Sequence, residues 1–392
     1  MNLRILHVTP AFYPATYWGG PIFSMYGLNN ALAALPHVTL NILTTDSAGP
    51  MPKHRLAVTE FPMRYPSGYD VYFCRRLFGM FISPGLLLRL GRMVRAADIV
   101  HLNAVYSWTT IPTLIACRLF HKPLVWSPHG ALQRWERSTR TTLKVIWERL
   151  CLTVAPERLV LHTTSAQEAE ASRARFRGVE VIVIPHGIDI PQHVAHVSGT
   201  DTIRLLYLGR LHPIKGIENL LHACAILDAH GLSWSLTVAG PGDTRYTADL
   251  VAKIGRIGLR VSDKASPRHV AMIGEVSESA KKGLFENADM VVVPSYTESF
   301  GMVVAEALAH GVPVVASTGT PWARIDEIGC GLCVDNDPET LAKAMEQMSR
   351  LPLRMMGDRA RDWMERQFSW SDRARDMMKL YAGIAYPDQC ST

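Results

Sequence analysis

Two glutamates stand eight positions apart in VVVPSYTESFGMVVAEALAHGVPVVAS, residues 291–317. Apolar residues enclose Glu298 and Glu306 on nearly every side, and a carboxylate in such surroundings is costly unless hydrogen-bonded. The pattern predicts a strand over 290–294, a loop over 295–299 and a helix from Phe300 to His310, with Gly311 just past its end. A helix starting there turns the N–H groups of Phe300, Gly301 and Met302 toward an anion, most simply a phosphate. A ribose diol would satisfy both oxygens of Glu306, which shares a helix face with Met302 and Val303. Glu298, at the mouth of the loop, would accept from further hydroxyls. Taken singly, either glutamate reads as an ordinary solvated residue. The pair, with Phe and Gly between, is a more specific signal.

A second constellation supports an anionic ligand. In LLYLGRLHPIKGIENLL, residues 205–221, a strand ends at Gly209 and two cations five apart, Arg210 and Lys215, fill the loop before the next helix. Such a pair suits a diphosphate and would neutralise charge building on a leaving group. A third lies in SPHGALQRW, where His129 ends an apolar strand just before Gly130. A fourth is YWGGPIFSMYGLNNAL, with Gly19 and Gly20 between the first strand and a helix, where backbone can approach a phosphate closely. In AMIGEVSES, Gly274 and Val276 follow another strand.

Together these segments resemble the retaining glycosyltransferases of family 4, which have the GT-B fold. The stretch from Glu298 to Glu306 is similar to that family's E-x-F-G-x(4)-E signature. The resemblance implies that Glu298 contacts a donor sugar, that the amides of Phe300 and Gly301 contact sugar and diphosphate, and that Glu306 holds the nucleotide ribose; Met302 is counted with the donor-binding residues. It also implies a phosphate clamp from Arg210 and Lys215, an active-site role for His129, a phosphate-side glycine loop at Gly19 and Gly20, and nucleobase contacts at Gly274 and Val276. A second PHG, at 185–187, resembles a mainly structural element that closes the family's first domain, so His186 is not assigned to catalysis. The expected activity is transfer of a hexose from a nucleotide-diphosphate sugar, GDP-mannose or a UDP-sugar, to an acceptor hydroxyl, with a lipid-linked oligosaccharide in polysaccharide or O-antigen assembly as the expected acceptor. The alternatives are a non-hydrolysing nucleotide-sugar epimerase and a non-catalytic nucleotide-sugar-binding subunit.

The elements that must position these residues follow from the hydrophobic pattern. Eleven short runs rich in Val, Ile and Leu, from RILHVTP to GLCV, alternate with helical segments. Near-continuous apolar strands between helices predict parallel sheets covered on both faces, an α/β doubly wound architecture. Length and the polar stretch DIPQHVAHVSGT at 189–200 divide them into two Rossmann-like domains, 1–188 and 189–366, facing across a cleft. QFSWSDRARDMMKLYAGI, at 367–384, resembles the family's last helix, which crosses back onto the first domain, so 367–392 is expected there.

Composition restricts the rest. Seven scattered cysteines argue against a disulfide framework, and the Cys330–Cys333 pair lacks the further ligands of a zinc site. No Asp-x-Asp donor motif is evident: DND at 335–337 reads better as the cap of a helix with Pro338 in its first turn. No cofactor and no essential metal are expected, the nucleotide sugar being a co-substrate. The absence of a signal peptide or long apolar run leads to a cytoplasmic expectation, with attachment to the inner face of the membrane. Residues 1–188 hold 20 Lys+Arg against 10 Asp+Glu, whereas 189–392 hold 21 against 25. A basic first domain suits an anionic membrane surface or a phosphate-bearing substrate, with no nucleic-acid partner expected. GALQRWERSTRTTLKVIWERLCL, at 130–152, places Arg134, Arg137, Arg140, Lys144 and Arg149 with Trp135 and Trp147 on one helical pattern that fits either a lipid interface or an ordinary surface helix. The upstream LFGMFISPGLLLRLGRMVR adds arginines and apolar residues.

Overall fold

A computed structural model describes residues 2–49, 51–57, 62–77, 82–135, 138–195 and 201–387. It contains two compact units, residues 1–187 with 370–392, and residues 188–369.

In the first unit eight strands form one sheet. They are β1 (Leu3–Val8), β2 (Val38–Thr45), β3 (Met63–Arg64), β4 (Asp70–Cys74), β5 (Ile99–Asn103), β6 (Leu124–Ser127), β7 (Leu159–Thr163) and β8 (Glu180–Val183). Their order is β3-β4-β2-β1-β5-β6-β7-β8, parallel except at the β3 edge. The helices are α1 (Gly20–Ala33), α2 (Pro84–Ala96), α3 (Thr110–Leu119), α4 (Thr141–Val154) and α5 (Ala166–Arg175).

The second unit has seven parallel strands: β9 (Ile203–Leu208), β10 (Trp234–Ala239), β11 (Arg260–Ser262), β12 (His269–Gly274), β13 (Met290–Val293), β14 (Val314–Ser317) and β15 (Gly331–Val334). Their order is β11-β12-β10-β9-β13-β14-β15. Its helices are α6 (Ile217–Ala229), α7 (Thr244–Arg256), α8 (Glu278–Glu286), α9 (Met302–Ala309), α10 (Arg324–Ile328), α11 (Pro338–Ser349) and α12 (Leu353–Gln367). The central reversal of strand order falls at β1/β5 in one sheet and at β9/β13 in the other, and ligands of such sheets lie outside the carboxyl ends of the strands at that point.

Four of these strands differ from the sequence expectation, which did not include β3, β4, β11 or β12. They lie toward the edges of their sheets, and His269, Met272 and half-buried Tyr72 interrupt the Val/Ile/Leu runs that mark central strands. The division between units falls at 187/188. Ile188 belongs to the second unit, where its N–H donates to the Phe368 carbonyl at 2.7 Å. The last helix, α13 (Trp370–Ala385), begins three residues later than the sequence reading placed it. Gln367 ends α12, and Phe368 packs among Phe300, Trp322 and Trp363 of the second unit. Residues 196–200 of the polar stretch lie outside the described residues.

The first unit's α1/α13 face conceals a directional hydrogen-bond chain. His162 Nε2 donates to the Ile184 carbonyl at 2.9 Å, so its Nδ1 accepts from Ser127 Oγ at 2.7 Å. Ser127 Oγ accepts in turn from His101 Nε2 at 2.6 Å, leaving His101 Nδ1 to accept from Tyr381 Oη at 2.5 Å. Tyr381, on α13, then accepts from His7 Nε2 at 3.1 Å, and His7 Nδ1 ends the chain unpartnered. Each ring is neutral in this arrangement. Burial, then the neighbouring histidines, hold His7 at about 3; burial also holds His162 at about 4.

Unfolded histidine takes up its proton near 6.5, so the folded state resists protonation that the unfolded state accepts. Stability from these rings is complete above that pH and is lost as pH falls from there toward the folded values. Each histidine should steepen the decline by about 1.4 kcal/mol per pH unit in this window. Urea midpoints measured between pH 7.5 and pH 5 should fall with acidification. Tyr381→Phe should cost about 1–3 kcal/mol by stranding His101 Nδ1 and the His7 N–H. A midpoint independent of pH would contradict the neutral chain.

Candidate functional site

In the second unit the loops after β9 and β13 lie at the sheet's turning point, and both carry residues singled out by the sequence. The 3₁₀ turn Pro213–Lys215 ends at Gly216 with φ +65°, and a Cβ there would stand 1.9 Å from the Pro294 carbonyl oxygen. This close approach brings Lys215 to the β13 loop, whose Tyr296 N–H donates to the Ile214 carbonyl at 2.8 Å. Lys215 Nζ meets Glu298 Oε1 at 2.5 Å, and Ser295 Oγ donates to the same oxygen at 2.8 Å. The Glu298 N–H is held by the Gly319 carbonyl at 3.0 Å. Lys215 therefore contacts a carboxylate rather than standing beside Arg210 as one of two bare cations. Arg210 is exposed, and Tyr207 Oη donates to its carbonyl.

The helix that follows is shorter than its pattern suggests. Gly301 forms its N-cap at φ +79°, a conformation that glycine adopts without strain, and no side chain caps the first turn. Phe300 therefore precedes the helix. Its ring is buried against Trp322, and its carbonyl accepts from Trp322 Nε1 at 2.5 Å. The amides of Gly301 and Met302 stand at the open helix end, beside the Glu298 side chain, since a Cβ on Gly301 would lie 3.7 Å from Glu298 Cγ. The expected glycine closes the other end: Gly311, at φ +70°, donates to the Leu308 carbonyl.

Glu306, further along α9, receives Lys281 Nζ from α8 at 2.5 Å. Burial raises its carboxyl above the usual range, Lys281 opposes this, and Glu278 and Asp189 add to the rise. Lys281 escaped the sequence reading because it arrives from a helix 25 residues upstream. Gly274 is exposed at the end of β12, and Val276 half-packs against the core on the loop leading into α8. His212 was also missed. Its Nδ1 caps the Lys215 turn by accepting from the Ile214 N–H at 3.2 Å, and burial, then Arg210 and Lys215, lowers its pKa.

In the first unit His129 leaves β6 at φ +50°, a left-handed conformation that costs an L residue about 1–2 kcal/mol. Its Nε2 donates to Asn103 Oδ1, at the end of β5, at 2.8 Å, so Nδ1 carries the lone pair. Burial, then His162, holds the ring neutral, at about 3. His186, set aside as structural, stacks on His129 with centroids 5.8 Å apart. The strained turn is held by Glu168 of α5, fully buried, whose Oε1 accepts from the Gly130 N–H at 2.5 Å. Its Oε2 accepts from Thr164 N and Oγ1 at 2.8 and 2.7 Å. Ser165 caps α5, its Oγ accepting from the Glu168 N–H. Gly19 caps α1 and Gly20 opens it, and the described contacts do not join either to His129.

The DND segment serves the scaffold: Asp337 caps α11, and Asn336 Nδ2 donates to the Pro294 carbonyl at 2.6 Å. Cys330 is buried in the core, Cys333 is half-buried, and burial raises both thiols, to about 12 and about 11. Among the described residues no three His, Cys, Asp or Glu side chains gather to hold a metal ion. Among them, too, no helix is long and apolar enough to cross a membrane.

Two doubly wound units, with carboxylate and lysine pairs near the carboxyl ends of the second, have the GT-B architecture. Residues 18–192 match Glycosyltransferase Family 4, and residues 202–350 match Glycosyl transferases group 1. The chain belongs to the family-4 glycosyltransferases. It is 24% identical over 406 aligned positions to GDP-mannose:cellobiosyl-diphosphopolyprenol alpha-mannosyltransferase of Komagataeibacter xylinus, covering 98% of this chain and 94% of the relative. A GDP-mannose-dependent alpha-(1-6)-phosphatidylinositol dimannoside mannosyltransferase of Mycobacterium tuberculosis is 27% identical over 55% of this chain and 56% of its own. Sucrose-phosphate synthase from Thermosynechococcus elongatus has the same fold, with a TM-score of 0.74 at 21% identity over 98% and 99% of the two chains.

Glu168→Gln should test the support beneath His129. A carboxamide can accept on one side only, so either the Gly130 N–H or Thr164 loses its partner. The expected loss is about 1–3 kcal/mol in urea denaturation. Glu170→Gln, at an exposed position of the same helix, should leave the midpoint unchanged.

Proposed function

We propose that this chain transfers mannose from GDP-mannose to a hydroxyl of a lipid-linked glycan, retaining the anomeric configuration and without an essential metal. The observation that carries the reading is the Glu298–Lys215 pair beside the uncapped start of α9, with Glu306 further along the same helix. GDP-mannose donors and lipid-linked acceptors are named in the relatives from Komagataeibacter xylinus and Mycobacterium tuberculosis, which supports that choice.

On this reading the ribose diol donates to Glu306, and the diphosphate lies at the Gly301 and Met302 amides with Arg210 and Lys215 as counter-charges. These groups stabilise the charge that grows on the phosphate as its bond to the sugar breaks. Glu298 accepts from sugar hydroxyls and fixes the ring for attack; it positions rather than forms a covalent bond. His129, neutral, offers its Nδ1 lone pair to a hydroxyl. Gly19 and Gly20 give backbone access to phosphate, and Gly274 and Val276 line the base. The basic first unit meets the anionic membrane that carries the acceptor, on its cytoplasmic face.

Purified chain, GDP-mannose and a polyprenol-diphosphate-linked oligosaccharide should yield mannosylated product, and EDTA should leave the rate unchanged. Donor alone should give slow hydrolysis at most; formation of a new nucleotide sugar would mean epimerisation and overturn the reading. Glu306→Ala should raise the donor KM about tenfold or more with little change in kcat, the signature of a lost binding contact. Glu298→Gln should lower kcat about 100-fold or more, since it misplaces the reacting ring.

A further inference from the structure

Helices α2, α3 and α4 lie side by side on one face of the first unit's sheet and bury Leu86, Leu90, Leu114, Cys117 and Cys151 against it. Their outward sides are also apolar. On α2, Leu88 is 83% exposed beside Leu87; on α3, Leu119 is 67% exposed, with Ile115 one turn before. On α4, Leu143, Ile146 and Leu150 form an i, i+3, i+7 stripe and are 64%, 57% and 45% exposed. Seven of the eighteen exposed large apolar side chains among the described residues thus sit on three adjacent helices. Scattered exposed leucines need no explanation, whereas a concentration on one layer does.

The charges identify the occupant. The three helices carry Arg89, Arg92, Arg95, Arg118, Lys144 and Arg149 against one acidic residue, Glu148, which is buried and paired with Arg134 at 2.7 Å. A second copy of this chain would set six cations against six, so self-association through this face is opposed. Leucines interspersed with arginines match a bilayer surface in which acyl chains receive the apolar groups and anionic headgroups the cations. We propose that the outward side of α2, α3 and α4 is a docking face for an anionic lipid bilayer.

The face differs from the one the sequence suggested. The described residues among 130–140 are not helical, Arg137 lies outside the described residues, and so do residues 78–81 of the upstream apolar segment. Trp147 points inward, donating from Nε1 to the Val105 carbonyl at 2.8 Å, and Trp135 is half-buried in the preceding loop. Leucine and isoleucine, not tryptophan, make the exposed stripe. The inference deepens the proposed function by naming the surface on which a lipid-linked acceptor would be met, but its test needs neither donor nor acceptor.

Sedimentation of the full chain with vesicles of equal parts phosphatidylglycerol and phosphatidylcholine should show binding that vesicles of phosphatidylcholine alone do not support. High salt should weaken it by screening the arginines. Combined Leu88→Glu, Leu143→Glu and Ile146→Glu should lower vesicle affinity about tenfold or more without lowering the melting temperature, since all three side chains are exposed. Val251→Glu with Met355→Glu, at exposed apolar positions of the second unit, should leave it unchanged. Absent vesicle binding, or equal binding by the triple variant, would overturn the proposal. Self-association of the wild type that the triple variant abolishes would overturn it too, in favour of a second copy. A chain that binds vesicles but transfers no mannose would leave the docking face standing and remove the donor assignment.

Discussion

A carboxylate withdrawn from water must be met by donors, and that requirement fixes the loops around which this protein's candidate chemistry is built. Glu298 is met by Lys215 and Ser295, Glu306 by Lys281, and Glu168 by Gly130 and Thr164. Lys215, Lys281 and Gly130 come from segments distant in sequence from the carboxylates they meet, so these three pairings fasten one piece of chain to another. Leaving any of these charges without its partner would strand it in a poorly solvated place, which costs more than the pair itself contributes. The positions of the loops are therefore strongly determined even before a ligand arrives.

Parallel sheets make this possible because all their strands end on the same side, so loops far apart in sequence emerge as neighbours. How near they come is set by backbone. At Gly216 the β9 loop approaches the Pro294 carbonyl more closely than any side chain would allow, and that approach delivers Lys215 to Glu298. Asn336 Nδ2 donates to the same carbonyl, and Ser317 Oγ holds that of Ser295 at 2.5 Å. The rigid loop in turn presents Gly301 and the open end of α9 in a fixed place.

What could be read from sequence follows from this geometry. Glu298, Gly301 and Glu306 lie within one strand-loop-helix unit, so their spacing alone specifies their relation, and Arg210 and Lys215 share a single loop. Lys281, Asn103 and Glu168 escaped because their meaning depends on which segments the fold brings together. His186 was visible but set aside; its stacking on His129 depends on β6 and the end of β8 being brought close. The central strands announced themselves as Val/Ile/Leu runs, whereas β4 and β12, nearer the sheet edges and mixed in composition, did not. The start of α4 was displaced because arginines over 130–140 continue a helical spacing that the backbone leaves at Arg140, whose φ is +55°.

The two lysine–glutamate pairs also bear on how a donor is recognised under the proposed function. A diphosphate that draws Lys215 toward itself takes a counter-ion from Glu298, whose carboxylate must then find other donors. Sugar hydroxyls supply them, and a nucleoside diphosphate without its sugar does not. On the same reading a ribose diol would take over from Lys281 at Glu306. Phosphate and hydroxyl recognition would thus be coupled through shared partners rather than summed from separate contacts. A ligand offering both at the right separation is favoured over either fragment, and that separation is set by the one rigid loop and helix on which Glu298 and Glu306 sit.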